Sequence, residues 1–186
     1  MDRAQLAVDW FIQSQGGSTV LRLVHSGFKA GGEWDAEYDA TRRGWDHELR
    51  SLRHYLEHHR GTNRIRTWIE QPVAPDPAAA WARLMSPGAL LQDGTLEGLG
   101  SGDRYAVTLA SGDALEGRVE LQEPPLGVTL SVENLNHALL RIGYETCTGT
   151  PGMHLWLSTW GVPVAEVEAR RRRWEKLLSG LFPARP

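Results

Sequence analysis

The stretch Met153-His154-Leu155-Trp156-Leu157-Ser158-Thr159-Trp160-Gly161-Val162 decides the fold, because the chain carries a counterpart of it much earlier. Residues 153–158 read as a strand and Thr159 to Val162 as a turn. A helix carrying Arg171-Arg172-Arg173-Trp174 follows. The same order occurs at 18–59: a strand from Ser18 to Val24, a His25-Ser26-Gly27-Phe28 turn, and a long helix carrying Arg42-Arg43-Gly44-Trp45. Such self-similarity marks a repeated unit. What lies between the copies reads as the rest of one unit, and nothing of that kind precedes the first copy. The expected division is 1–61, the C-terminal part of a first domain, and 62–186, a complete second domain.

Outward from the first copy, residues 4–14 alternate, with Leu6, Val8, Trp10 and Ile12 on one face. Alternation of this kind predicts a half-buried strand. Gln15-Gly16-Gly17-Ser18 is a hairpin turn. From about Glu33 to His59, apolar residues at Trp34, Tyr38, Trp45, Leu49, Leu52 and Leu56 predict one stripe of a helix. In the second segment, Arg64 to Val73 reads as a strand. Asp76-Pro77 opens a helix, as N-cap and first helical position. A glycine-rich loop spans 94–102. Short strands follow at 104–109, 115–121, 128–132 and 138–146. The final helix starts near Pro163, with Val164, Val167, Trp174, Leu178 and Leu181 on its stripe. This is an α+β layout: a curved antiparallel sheet wrapped on one long C-terminal helix.

The totals narrow the partners. A formal charge of -3 gives no support to nucleic-acid binding. The run Arg170-Arg171-Arg172-Arg173 is flanked by Glu166, Glu168 and Glu175, which predicts a solvated helix face. No apolar run approaches the length of a membrane span, and no signal peptide is visible at the N-terminus. A single cysteine, Cys147, rules out an intrachain disulfide and suits a reducing, cytoplasmic location.

With these elements in place, Pro72-Val73-Ala74-Pro75-Asp76-Pro77-Ala78-Ala79-Ala80-Trp81 resembles the first strand and helix of the SRPBCC, or START-like helix-grip, superfamily. Gly102-Asp103-Arg104-Tyr105, Gly117-Arg118-Val119 and Glu123-Pro124-Pro125 resemble its branch related to the C-terminal domain of the heat-shock protein 90 ATPase activator (AHSA-type). His25-Ser26-Gly27-Phe28, Gly44-Trp45 and Tyr55-Leu56 resemble the end of that same domain type. The chain departs from the pattern where Thr159-Trp160-Gly161 replaces the His-Ser-Gly of the first copy. It departs again at 88–102, which is glycine-rich where an aromatic is common.

The resemblance implies a cavity between sheet and helix that holds an apolar small molecule. Strand alternation would place Ile69, Tyr105, Val107, Val119, Leu121, Leu130, Leu155, Leu157 and Thr159 on its wall, with Trp174 and Leu178 from the helix. Tyr105 and Thr159 are the polar candidates for orienting a ligand. The same residues equally describe a solid core. Three functions follow. The first is non-catalytic binding of a hydrophobic small molecule. The second is a co-chaperone-like protein-interaction module without a ligand. The third is a cyclase- or hydrolase-type enzyme, which needs a buried acid/base pair that the sequence does not supply.

Other candidates are weaker. His54 and His58 are four apart on a helix but have no third ligand and no His-Glu-x-x-His signature, so neither metal nor cofactor is expected. His25 reads as a core histidine or a pocket group. Cys147 reads as structural. Glu33/Asp35 and Asp103/Asp113 read as loop and turn carboxylates. Residues 1–61 would leave exposed strand edges. They are expected to cover a face or edge of the second domain, or to form a homo-oligomer. Trp10, Trp68 and Trp156 are the expected meeting point.

Overall fold

The computed structural model of the chain describes residues 6–29, 31–74, 76–146 and 150–183. It divides into two compact units, 1–44 and 45–186, and the division falls inside a helix.

In the first unit, β1 (Ala7–Gln15) and β2 (Ser18–Ser26) form an antiparallel hairpin in register from Ala7↔Ser26 to Gln15↔Ser18. Gly16 and Gly17 make the two-residue turn at φ 57° and 84°, the pair of positive angles that a tight hairpin demands. Val8, Trp10 and Ile12 share a face with His25, Leu23 and Leu21. The expected half-burial is not found: every β1 residue is exposed, Trp10 at 49% and Ile12 at 71%. Alternation identifies a face that needs cover; two strands alone cannot supply it. Beyond β2, Phe28 packs edge-on against His25 and Tyr38 at 4.9 and 5.3 Å between ring centres. α1 (Gly32–His58) then begins.

The second unit holds the end of α1, β3 (Arg64–Pro72), α2 (Pro77–Leu84), β4 (Leu91–Asp93), β5 (Arg104–Leu109), β6 (Ala114–Glu123), β7 (Gly127–Val132), β8 (Ala138–Glu145), β9 (Gly152–Trp160) and α3 (Val164–Leu181). Its seven strands run β3-β9-β8-β7-β6-β5-β4, all antiparallel neighbours. Asp76 caps α2 as read, its carboxylate accepting from Ala79 N–H at 3.0 Å. β4 was not expected; three residues carry too little pattern to be seen.

Cross-strand register sorts the sheet into two faces. Leu157, Leu140, Leu130 and Val119 line up across four strands of the inner face. Val167, Trp174 and Leu178 of α3 join the same apolar core. Val164, expected on that stripe, is 63% exposed; it sits in the helix's first turn.

The outer face of β7–β9 is also closed. Thr129, Ser131, Arg141, His154 and Ser158 are all buried there, beneath the end of α1. The stripe that α1 buries is not the one expected. Arg43, His47, Ser51 and His54 are buried, whereas Tyr38, Leu52 and Leu56 are 53%, 37% and 44% exposed. Hydrophobic spacing gave the helix its period but the wrong face, because the surface beneath residues 45–58 is itself polar and aromatic.

Gly117 shows how tightly β5–β7 are set. It lies opposite Tyr105, whose hydroxyl crosses over to donate to the Ser131 carbonyl at 2.9 Å. A Cβ at Gly117 would collide with that same carbonyl. Gly117→Ala is expected to lower stability by about 2 kcal/mol or more, read from the urea unfolding midpoint; an unchanged midpoint would contradict the packing described. Among the described residues no helix is long and apolar enough to cross a membrane.

Candidate functional site

Ten of the eleven residues assigned to a cavity wall do converge on the inner face. Ile69, Tyr105, Val107, Val119, Leu130, Leu155, Leu157, Thr159, Trp174 and Leu178 are each no more than 5% exposed. Leu121 is the exception. A bulge between Val119 and Leu121 shifts the register, so Leu121 pairs with Thr129 and shares the outer face with Arg141 and Trp156. Strict alternation cannot anticipate an inserted residue.

The polar candidates are engaged by the protein itself. Tyr105 donates to Ser131 O, and burial pushes its phenol pKa well above the usual value. Thr159 Oγ1 lies 3.5 Å from the Ile65 carbonyl. Trp174 Nε1–H donates to Asp113 Oδ2 at 2.8 Å.

Asp113 is what sequence reasoning missed. It reads as a turn residue, yet it accepts from Ser111, Arg173 and Trp174, and Arg170 lies at 3.4 Å. Burial works to raise its pKa. The hydrogen bonds from Arg173, Ser111 and Trp174 outweigh that and hold the carboxyl below its ordinary value. The arginine run is the signal that could have found it: Glu166, Glu168 and Glu175 serve Arg170 and Arg171 on the helix itself, and Asp113 supplies the anion for Arg173 across 60 residues.

Six of the seven histidines gather where α1 meets the outer face. His47 lies 4.4 Å from the Trp156 ring, and His154 stacks on Trp68 at 4.6 Å. Trp68 in turn meets Trp156 edge-on at 5.4 Å. Trp156 is thus covered by the end of α1 through His47. Neither ring nitrogen of His47 or His154 has a hydrogen-bond partner among the described residues. Burial, with Arg141 next in effect, holds both histidines down to a pKa of about 3.

His54 and His59 each donate Nε2–H to the His137 carbonyl, at 2.6 and 2.9 Å. A carbonyl only accepts, so both rings carry the Nε2 proton. His58 instead stacks on the His137 ring at 4.6 Å. Among the described residues no group of three or more His, Cys, Asp or Glu is arranged to hold a metal. Cys147 lies outside the described residues.

One cleft opens beside this interface, about 410 Å³, between α1, residues 62–64 and Trp160. It lies on the outer side of the sheet, since Trp160 pairs with Arg64 and Thr159 with the inner-facing Ile65.

The solution structure of the Aha1 dimer from Colwellia psychrerythraea matches with a TM-score of 0.51 at 13% identity, covering 63% of this chain and 93% of that one. The fold is the Aha1-type helix grip. Also similar are a crystal structure of a Mesorhizobium loti protein and the solution structure of an AHSA1-like protein from Aeromonas hydrophila. The first is 13% identical with a TM-score of 0.49, covering 63% of this chain and 94% of that one. The second is 12% identical with a TM-score of 0.45, covering 66% and 99%. No family model and no curated protein matches the chain. Within this Aha1-type grip, α3 is the gripped helix, and the Asp113 cluster ties it to the β5–β6 turn.

Proposed function

We propose that this chain acts as a protein-interaction module that pairs with a second copy of itself through the hairpin of residues 7–26. The carrying observation is the exposed apolar face of Val8, Trp10 and Ile12 on a two-stranded sheet. Among the described residues β1 and β2 pair as strands only with each other, so the two-stranded sheet keeps an outward edge on each side. Unpaired edges and apolar patches of this kind mark association sites. The occupant follows from charge. The hairpin carries one acidic residue, Asp9, and one arginine, Arg22, so an identical hairpin brings opposite charges and no like-charge block.

Ile12→Lys is the test. The residue is 71% exposed, so its replacement leaves the fold of the second unit untouched. Light scattering across a concentration series should give a dimer for the wild type. The variant should need at least tenfold more protein to reach it. A wild type that stays monomeric, or a variant that dimerises equally well, would overturn the reading.

A second reading, an apolar small molecule between sheet and α3, is favoured by Thr159. It is fully buried on the inner face, with its hydroxyl held only at the 3.5 Å limit of hydrogen bonding. Ligand-dependent shifts at Tyr105, Leu130 and Trp174 would support it.

A further inference from the structure

The cleft beside Trp160 is built unlike either of those surfaces. One wall is apolar, from Leu52 and Tyr55 of α1. Its charged groups are Arg64 and Glu48. The Tyr55 hydroxyl accepts from Gly61 N–H at 3.0 Å, which leaves its own proton to donate. Trp160 is 1% exposed, and its indole N–H has no acceptor among the described residues. That ring is closed off from the cleft, whose open side chains are those of Leu52, Tyr55 and Arg64. Arg64 sits at the cleft with its guanidinium steered by Ser51 Oγ at 3.1 Å and the Glu48 carboxylate at 3.5 Å. The Arg64 side chain is still one-third exposed, so part of its donor fork remains open to solvent.

We propose that this cleft binds a small organic acid, its carboxylate on Arg64 and its apolar body against Leu52 and the Tyr55 ring. About 410 Å³ falls within the usual range for small-molecule sites. Arg64 offers the planar fork that matches a carboxylate, and the Tyr55 hydroxyl can donate to the same group. Glu48 is the one opposing group. It competes with the ligand for Arg64, so it sets the affinity without contributing to it. The site is independent of hairpin pairing and lies across the sheet from the inner face.

The experiment is a titration with phenylacetate and with octanoate, followed by the amide and indole N–H signals of the full chain. Trp160→Phe assigns the Trp160 indole. Its signal should shift saturably together with the amides of 62–64. Arg64→Gln should weaken binding at least tenfold, while Glu48→Gln should tighten it two- to fivefold. Both residues are partly exposed, so both variants should otherwise keep the wild-type spectrum. Absence of a saturable shift for both probes would overturn the proposal. So would shifts confined to Tyr105, Leu130 and Trp174, or equal binding in wild type and Arg64→Gln.

Discussion

Asp113→Ala is expected to lower the folding stability by about 3 kcal/mol, a large share of the 5–15 kcal/mol that holds a domain of this kind. The carboxylate side chain is 6% exposed and is the acceptor for Trp174 Nε1–H, Ser111 and Arg173, with Arg170 beside it. Removing it leaves a buried indole N–H without an acceptor and takes the anion from Arg173, while Arg170 keeps Glu166. Each loss is costly for a group that cannot return to water. The Arg173 side chain is 44% exposed and can rehydrate, which keeps the figure below the cost of a fully buried pair. Asp113→Asn keeps an acceptor for Trp174 and gives up the charge, so about half the loss is expected. Urea unfolding of both variants checks the order. If Asp113→Ala left the midpoint within about 0.5 kcal/mol of wild type, the anchoring of α3 described above would be wrong.

The second large effect is acid sensitivity between pH 6.5 and 3. His47 and His154 have folded pKa values of about 3, against an ordinary value of 6.5. Because the folded values are depressed, the unfolded chain takes up protons that the folded chain refuses. Stability is complete above about pH 6.5 and falls as the pH drops toward 3. At pH 5 each histidine is about 1.5 units below the unfolded value, worth about 2 kcal/mol, or about 4 for the pair. The groups facing them reinforce the direction: Arg141 and Arg64 disfavour a charged His47, and Arg141 does the same for His154. Asp113 is depressed as well, so its contribution is whole above its ordinary value of 3.8 and is lost as the pH falls from there toward the lower folded value. Urea midpoints at pH 7.5 and 5.0 read the difference. His47→Leu should remove about half of the slope. A midpoint flat across that interval would show that α1 does not bury these rings.

The elements with local signals were the legible ones. The strand–turn–helix order at 18–59 and 152–182 rests on apolar spacing and glycine turns, and α2 on an Asp-Pro cap, all local signals, and each produced an element close to its expected position. What sits against what was less legible. The helix period of α1 was clear from Leu49, Leu52 and Leu56, yet the helix buries Arg43, His47, Ser51 and His54. The outer face it covers carries His154, Trp156 and Ser158, and no local rule ranks a histidine–tryptophan contact above a leucine one. Leu121 failed for a different reason: the bulge in β6 is set by pairing with β7, information that its own strand does not hold. Asp113 failed because its partners are 60 and 61 residues away.

Hairpin pairing is the claim on which the proposed function stands, and amide hydrogen exchange of the intact chain at low and high protein concentration tests it most directly. Peptides from residues 7–26 should gain protection as concentration rises, while those from β7 and β8 stay equally protected throughout. Rapid exchange in 7–26 that is the same at every concentration would contradict it.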